Sequence, residues 1–368
     1  MSRRKTPSPL IAGRLSHCRR EMKRRGIRAL LISKRWDSYY LTGFTGEDSA
    51  VLVLPRAVHI LSDGRFDESI NRECPWATKW LRHGTLNAEI AKACKELGIR
   101  SLAVQPDHRT LADQKELHKL NGAARCRSAP PILAQMRRIK DDKELAVMRQ
   151  ALRVAEGAFL ATRKTIRVGQ TELEIAARLE YEMKRRGASG PAFPTICAVD
   201  ANAALPHADT GHRKVKSGSA ILLDWGARVG RYCSDLTRVL FMRTIPPAIG
   251  EVYRIVREAQ RRAIVAIRPG ERMCDVDAVA RDYIKTKGFE KEFNHGLGHG
   301  LGLDVHEPPS LSWRSKQKLR AGMVVTVEPG VYLPGIGGVR IEDDVLVTSR
   351  GSRVLSKLSK SPDDAVIG

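Results

Sequence analysis

One stretch of the sequence decides how its second half folds: LLDWGARVGRYCSDLTR, at residues 222–238. Asp224 follows an apolar run, although aspartate is depleted in β-strands because its side chain competes for backbone hydrogen bonds. A turn at Val229-Gly230 would form a hairpin in which Asp224 lies opposite Asp235, and opposed residues share a face. Two carboxylates side by side in an apolar sheet repel each other unless a cation lies between them.

A second hairpin repeats this arrangement with longer side chains. Glu328 ends the apolar run Val324–Val327, and Glu342 lies in a return strand after a turn that we expect to centre on Gly335. This register sets Glu328 opposite Glu342, although Pro329 disturbs strict pairing because it has no N–H to donate. Each hairpin therefore offers two inward carboxylates.

Between the hairpins lies NHGLGHGLGLDVHE, at residues 294–307, with three histidines among four glycines. Glycine lets a backbone approach a ligand closely. One neutral imidazole and four carboxylates form an oxygen-rich set of about five ligands, which suits manganese, cobalt, iron or a pair of zinc ions. Two such ions about 3.5–4 Å apart can activate water and polarise a carbonyl group.

Spacing alone leaves other interpretations open. A single aspartate in a strand is more often a turn residue or a surface ion pair, and a Gly-His run is more often a flexible loop. The Glu342-Asp343-Asp344 run is also compatible with a solvated acidic turn, and carboxylates can grip a cation for purely structural reasons. The conjunction of two carboxylate hairpins with a histidine-rich loop between them favours a dinuclear metal site.

The elements around the hairpins occur twice in the same order. Amphipathic helices over residues 143–166 and 171–187 precede the first hairpin, and helices over 252–267 and 275–287 precede the second. The second of these helices opens with a capping box formed by Thr171 and Glu174. We therefore expect an α+β domain with internal pseudo-symmetry, whose two similar halves face each other around one site.

The first part of the chain has a different pattern. Short apolar runs alternate with amphipathic helices from residue 10 to about residue 129, which predicts an α/β layer domain. The clearest break is Ser128-Ala-Pro-Pro131. We therefore expect one domain over residues 10–130 and a second over residues 131–355.

The charge and aromatic content of the chain bear on whether it binds nucleic acid. The net charge of +23 arises from 64 basic and 41 acidic residues, but the basic residues form short clusters such as Arg3–Lys5, Lys23–Arg25 and Lys184–Arg186. These clusters lie at expected helix ends or the chain start rather than in one stripe, and aromatic residues are sparse. A basic, solvated surface is therefore favoured over a nucleic-acid partner.

Cysteine usage and hydropathy bear on the location of the protein. Seven scattered cysteines without CxxC spacing indicate reduced thiols in a cytoplasmic protein. No stretch of eighteen apolar residues is present, so we expect no membrane-spanning helix.

These motifs resemble those of the pita-bread-fold metallopeptidases, which include Xaa-Pro aminopeptidases, prolidases, methionine aminopeptidases and creatinase. The matching strings are ALPH (204–207), LDWG (223–226), SDLTR (234–238), HGLGHGLGLDVHE (295–307), VEPGVY (327–332) and GVRIED (338–343). The strings YYLTGF (39–44) and SDGR (62–65) are similar to the creatinase-type N-terminal domain. MRRIK (136–140), followed by Glu144, resembles the family's connecting helix, so the resemblance covers nearly all of residues 10–350.

The resemblance implies roles for nine residues. The metal ligands would be Asp224, Asp235, His299, Glu328 and Glu342, holding two divalent ions with manganese as first candidate and cobalt, zinc or iron as alternatives. Asp235 and Glu342 would bridge the ions, and Glu328 would also handle the proton of the attacking water. His207 and His306 would stabilise the tetrahedral intermediate or the leaving nitrogen, and His295 and Arg340 would contact the substrate. Asp209 and His212 receive no role and are expected at the surface.

The implied activity is that of a metallo-exopeptidase acting on the bond that precedes proline, with proline-containing peptides as substrates and a homodimer as the family expectation. A bond to proline is a tertiary amide without an N–H. The first expectation is an Xaa-Pro aminopeptidase, and the alternative is an Xaa-Pro dipeptidase (prolidase). A non-catalytic binding paralogue and a hydrolase of non-peptide amides are further alternatives.

Overall fold

The computed structural model describes residues 6–121 and 124–368, so the basic cluster Arg3–Lys5 lies outside the described residues. The chain divides into two compact units, Met1–Arg137 and Arg138–Gly368. Within the described residues, no helix is long and apolar enough to cross a membrane. All seven cysteines are free thiols, and five of them are buried.

The first unit is a six-stranded mixed sheet with helices packed around it. The strands are β1 (Leu30–Ile32), β2 (Ala50–Val53), β3 (Val58–Asp63), β4 (Thr78–Arg82), β5 (Ser101–Val104) and β6 (Arg125–Ser128). Their order in the sheet is β4-β3-β2-β1-β5-β6. The helices are α1 (Pro9–Arg24), α2 (Arg35–Thr42), α3 (Asp67–Glu73), α4 (Leu86–Glu96), α5 (Leu111–Asn121) and α6 (Ile132–Arg137).

The core of this unit lies where α4 covers the sheet. Leu31, Leu52, Leu61 and Leu102 are fully or almost fully buried there and pack against Ile90 and its helical neighbours. This alternation of buried strands and amphipathic helices confirms the predicted α/β layer domain.

The second unit contains five helices and fourteen strands among its described residues. The helices are α7 (Asp142–Arg163), α8 (Glu172–Arg185), α9 (Pro247–Ala266), α10 (Met273–Thr286) and α11 (Pro362–Ala365). The strands are β7 (Gly190–Pro191), β8 (Ile196–Val199), β9 (Ala220–Trp225), β10 (Ala227–Val229), β11 (Tyr232–Cys233), β12 (Leu236–Met242), β13 (Gly298–Gly300), β14 (Glu307–Leu311), β15 (Val324–Val327), β16 (Gly330–Leu333), β17 (Gly337–Arg340), β18 (Asp343–Val347), β19 (Ser352–Val354) and β20 (Val366–Ile367).

The expected repetition of elements is present in this unit. The pair α7 and α8 precedes a sheet of order β20-β12-β9-β8, and the pair α9 and α10 precedes a sheet of order β14-β13-β15-β18-β19. A bridge between Thr237 and Glu342 joins the two hairpins. The capping box also forms, because Thr171 and Glu174 each accept the other's backbone N–H.

The register of the first hairpin differs from the prediction. Val229 pairs with Tyr232, so the turn residues are Gly230 and Arg231, at φ angles of 52° and 73°. Positive φ at both central positions is the signature of a type I′ turn, whose twist matches that of the strands. Asp224 consequently lies opposite Thr237 rather than Asp235. Because side chains alternate with a period of two, the two-residue shift leaves both carboxylates on one face.

The register of the second hairpin agrees with the prediction. Leu333 pairs with Gly337 around Gly335, which has a φ of 77°. The pairing of Val327 with Asp343 continues the same register beyond the interruption at Pro329. Glu328 therefore faces Glu342.

Candidate metal centre

A cavity of about 850 Å³ opens between the two hairpins of the second unit. Its walls contain every residue for which the sequence suggested a role: His207, Asp224, Asp235, His295, His299, His306, Glu328, Arg340 and Glu342. These residues come from six separate segments of the chain. The fold therefore gathers in one place side chains that are up to 135 positions apart (207 to 342).

Three of these side chains form a compact cluster. Asp235, His299 and Glu342 each offer a ligand atom, and these atoms all lie within 4.8 Å of one another. His299 Nε2 is also 3.3 Å from Glu328 Oε1. One carboxylate precedes β12, one follows β17 and the imidazole is carried by β13, so both hairpins and the loop between them contribute.

Gly298 allows β13 to approach β15 closely enough to carry His299 into this cluster. A Cβ atom at this position would lie 2.0 Å from the carbonyl oxygen of Thr326 on β15. Any larger residue would therefore push the strands apart. This is the physical reason for the glycine beside the histidine.

Asp224 lies at the edge of the cluster, and only one of its two carboxylate oxygens accepts a hydrogen bond from the described residues. Its Oδ2 accepts a hydrogen bond of 2.6 Å from Arg340. Its Oδ1 is buried and has no hydrogen-bond partner among the described residues. A buried carboxylate oxygen without a donor is costly unless something else, such as a cation, satisfies it.

The electrostatics of the cluster are dominated by burial and by the closeness of several carboxylates, which Arg340 offsets only in part. Burial, followed by the neighbouring carboxylates, raises the pKa values of Asp235 and Glu342 well above their ordinary ranges. Burial also raises the pKa of Glu328 to about 7. Burial lowers the pKa of His299, so its imidazole is neutral at physiological pH and free to act as a ligand. A divalent cation in the cluster would favour the ionised carboxylates.

Two threonines orient the glutamates, and sequence reasoning missed both. Thr237 donates a 2.7 Å hydrogen bond to Glu342 Oε2. Thr326 donates to Glu328 Oε1 over 3.1 Å and accepts the backbone N–H of His299. Each threonine lies two positions from an acidic residue of the site, and the period of a strand places such pairs on one face. That spacing is the signal that could have found them.

Tyr332 connects two of the predicted residues and was also missed. Arg340 donates to the Tyr332 hydroxyl over 2.8 Å, and this hydroxyl lies 2.9 Å from His295 Nε2. Burial lowers the pKa of His295 to about 4 and raises that of Tyr332 to about 12. The tyrosine therefore donates to Nε2, and Nδ1–H of the neutral ring donates to the carbonyl of Gly296 at 2.8 Å.

His207 and His306 line the cavity with exposed rings. The ring of His306 makes an edge-to-face contact with that of His299, with 4.3 Å between centroids. The cavity wall covers part of the His306 side chain, and this partial burial, followed by the neighbouring His299, lowers its pKa. Both histidines are accessible to a molecule that enters the cavity.

Asp209 and His212 are exposed, as expected for surface residues. Asp209 also lines the cavity. The rest of the lining includes apolar side chains that sequence reasoning did not single out, namely Phe193, Pro194, Ile196 and Trp313. Trp225, which neighbours Asp224 in β9, points away from the cavity, stacks on Phe159 at 4.7 Å and donates Nε1–H to the carbonyl of Ala155.

Comparison with known proteins gives a consistent result. The model of metallopeptidase family M24 matches residues 146–349, and that of the creatinase/prolidase N-terminal domain matches residues 14–139. An Xaa-Pro dipeptidase of Pyrococcus horikoshii is 36% identical over 349 residues, which are 92% of this chain and 95% of that protein.

Solved structures are similar over nearly the whole chain. The Xaa-Pro dipeptidase of Bacillus anthracis has a TM-score of 0.92 and 35% identity, covering 95% of this chain and 99% of that one. The X-Pro aminopeptidase of Thermotoga maritima has a TM-score of 0.86 and 36% identity, covering 94% and 99%.

Proposed function

The chain belongs to metallopeptidase family M24, with a creatinase/prolidase N-terminal domain and a pita-bread catalytic domain, and we propose that it is an Xaa-Pro dipeptidase. Membership in this family makes it a metal-dependent exopeptidase. The observation that carries the proposal is the convergence, in one cavity, of four carboxylates and an imidazole with two exposed histidines. The relative from Pyrococcus horikoshii and the structure from Bacillus anthracis support dipeptides as substrates. The sequence alone favoured an aminopeptidase, and the comparisons fit the dipeptidase alternative at least as well.

The side chains of the cavity fit a divalent metal. Asp224 has a buried oxygen that no described residue hydrogen-bonds, and burial, followed by the neighbouring carboxylates, raises the pKa values of Asp235 and Glu342. We propose that Asp224, Asp235, His299, Glu328 and Glu342 hold two ions, with manganese as first candidate. When bound, these ions would supply Lewis-acid polarisation of the substrate carbonyl and an activated water molecule.

Glu328 is the candidate for proton transfer. Its carboxyl group is buried, and its Oε1 is held by Thr326. The same Oε1 lies 3.3 Å from His299 Nε2, so the carboxylate is held inside the ligand cluster, where a positioned carboxylate can accept a proton and return it. Glu328 would accept the proton of the attacking water and return it to the products.

His207 and His306 are the candidates for contact with the reacting peptide bond. The nitrogen of a bond to proline carries no hydrogen and must gain a proton to leave. Both rings are exposed to the cavity, and each can donate an N–H to a developing charge on the substrate. Arg340 donates hydrogen bonds to Tyr332 and to Asp224, so its guanidinium group is held in a fixed position in the cavity lining.

The test is hydrolysis of Ala-Pro and Ala-Pro-Ala, measured side by side with added manganese and with chelator. The proposal expects metal-dependent cleavage of Ala-Pro and little cleavage of the tripeptide. Glu328→Gln protein is the matched control, because it keeps the shape of the side chain and loses the acid–base group. Absence of Ala-Pro cleavage in protein shown to hold metal would refute the proposal.

The second candidate is an Xaa-Pro aminopeptidase, favoured by the similarity to the X-Pro aminopeptidase of Thermotoga maritima. It expects release of alanine from Ala-Pro-Ala at a rate comparable to that from Ala-Pro. We also propose a homodimer, which light scattering on the purified protein would test.

A further inference from the structure

The last residues of the chain contact Arg238 and Asp343, which adjoin Thr237 and Glu342, although they lie beyond the region matched by the family model. That match ends at residue 349. After β19, the chain runs back across the unit, and β20 pairs with β12 beside the first hairpin. Residues 356–360 cross the segment that carries Glu342.

Asp343 is the point at which this segment is attached. The Asp343 side chain is buried, and its Oδ1 accepts hydrogen bonds from Arg238 at 2.7 Å and from Ser356 at 2.6 Å. Its Oδ2 accepts from Gln260 at 3.1 Å and from the ammonium group of Lys360. Two of the four donors, Ser356 and Lys360, therefore come from the end of the chain.

Arg238 connects Asp343 and the end of the chain to Glu342. One terminal nitrogen of its guanidinium donates to the carbonyl of Glu342 at 2.6 Å and to that of Thr237 at 2.9 Å. Its other donors bond the carbonyls of Leu358 at 3.1 Å and Ser359 at 3.3 Å. We define the C-terminal clamp as the side chains of Ser356 and Lys360 with the carbonyls of Leu358 and Ser359. The clamp bonds to Arg238 directly and through Asp343, and Arg238 in turn bonds to the carbonyl of Glu342.

We propose that the C-terminal clamp positions Glu342 for metal binding, so that the chain end is part of the metal site. The inference rests on the proposed metal-dependent function. A carboxylate binds a metal tightly only when its backbone and side chain are held in place. Loss of such supporting hydrogen bonds commonly weakens metal affinity by roughly 10–100-fold. Lys360 acts through Asp343 and Arg238, so it is a positioning residue.

Lys360→Met is the variant that tests the clamp, because it keeps the length of the side chain and removes the ammonium group. Lys357→Met is the matched control, since Lys357 lies three positions away with an exposed side chain outside the clamp. Manganese affinity is measured by calorimetry, and the visible spectrum of the Co²⁺-loaded protein reports the geometry of the ligands. The melting temperature in chelator reports the stability of the metal-free fold.

We expect Lys360→Met to bind manganese about 10-fold more weakly than Lys357→Met, with an altered Co²⁺ spectrum and a metal-free melting temperature close to that of the control. Lys360→Arg, which keeps the charge, should recover most of the affinity. Equal affinities in the two methionine variants, or a lower melting temperature without any loss of affinity, would overturn the inference.

The outcome is independent of the substrate. Wild-type protein that binds manganese but does not cleave Ala-Pro refutes the proposed dipeptidase, while the affinities of the two variants still decide the role of the clamp. Cleavage of Ala-Pro together with equal affinities supports the proposed function and overturns the clamp.

Discussion

Replacement of Asp235 by asparagine should have opposite effects on the metal-free and the metal-loaded protein. The Asp235 side chain is buried beside Glu342 and His299, with ligand atoms all within 4.8 Å of one another. Without a cation, the ionised carboxylates repel each other. Asparagine has nearly the same shape, removes one charge and offers an N–H₂ group to the remaining carboxylate. The substitution should therefore stabilise the metal-free fold and impair metal binding.

The size of the effect follows from the geometry. Two unit charges about 4.8 Å apart in a medium of effective dielectric constant about 20 repel by roughly 3.5 kcal/mol. Partial protonation of the cluster reduces this value, because burial and neighbouring charges raise the pKa of Asp235. We therefore expect a stabilisation of about 1–3 kcal/mol at pH 8, or roughly 2–4 °C in melting temperature for each kcal/mol.

The assay is thermal and urea unfolding at pH 8, with chelator and with saturating manganese. The wild-type protein should be more stable with manganese bound, because a ligand that binds only the native state stabilises that state. Asp235→Asn should begin from a higher melting temperature in chelator and gain little from manganese. Asp209→Asn is the control, because Asp209 lines the same cavity but is exposed. The Asp209→Asn substitution should change the unfolding free energy by no more than about 0.5 kcal/mol, both in chelator and with manganese.

One result would refute the reasoning directly. If Asp235→Asn lowers the melting temperature in chelator as much as it does with manganese, Asp235 is a structural hydrogen-bond acceptor. The repulsion on which the cation argument depends would then be absent.

Three other perturbations test separate parts of the site. Glu328→Gln should lower the rate of Ala-Pro cleavage by about 10²–10⁴-fold with an unchanged circular dichroism spectrum; a smaller loss would remove Glu328 from proton transfer. In chelator, the unfolding free energy of the wild-type protein should fall as the pH rises from 4.5 to about 7, because burial raises the folded-state pKa of Glu328 from 4.5 to about 7 and favours its protonated form. Urea unfolding across this range should show a shallower fall for Glu328→Gln, and equal slopes would contradict the assignment. His306→Ala should reduce kcat more than it reduces bound metal, measured by elemental analysis; a parallel loss of metal would identify His306 as a ligand.

The helix boundaries show which structural features a local sequence pattern can predict and which it cannot. The pattern predicted a helix from Val252, whereas α9 begins at Pro247. Two consecutive prolines resemble a break in the sequence, but a proline at the first helical position is compatible with the helix because its missing N–H would have no intrahelical partner. The capping box of Thr171 and Glu174 was predicted correctly, since both residues lie within one turn and need no tertiary partner.

The candidate site was predictable to the extent that it depends on alternation along strands. The turn of the first hairpin was misplaced by one residue, because the sequence around Gly230 does not reveal that Arg231 adopts a positive φ. The resulting error in pairing was two residues, and a two-residue shift preserves the face. Asp224 and Asp235 therefore remained on the same side, and the prediction of paired carboxylates survived the error in register.

The sequence by itself determined which residue types are candidate ligands, their order along the chain and the face of the strand on which each carboxylate lies. These properties depend on residue identity and on the two-residue period of a strand, both of which are local. Only the tertiary structure decided the partners of these residues: Arg340 for Asp224, Tyr332 for His295, and Thr237 for Glu342. It also decided that Ser356 and Lys360 bond to Asp343. The Arg340–Asp224 and Thr237–Glu342 bonds join residues more than 100 positions apart, and the packing of the two hairpins against each other, which no local pattern encodes, brings them together.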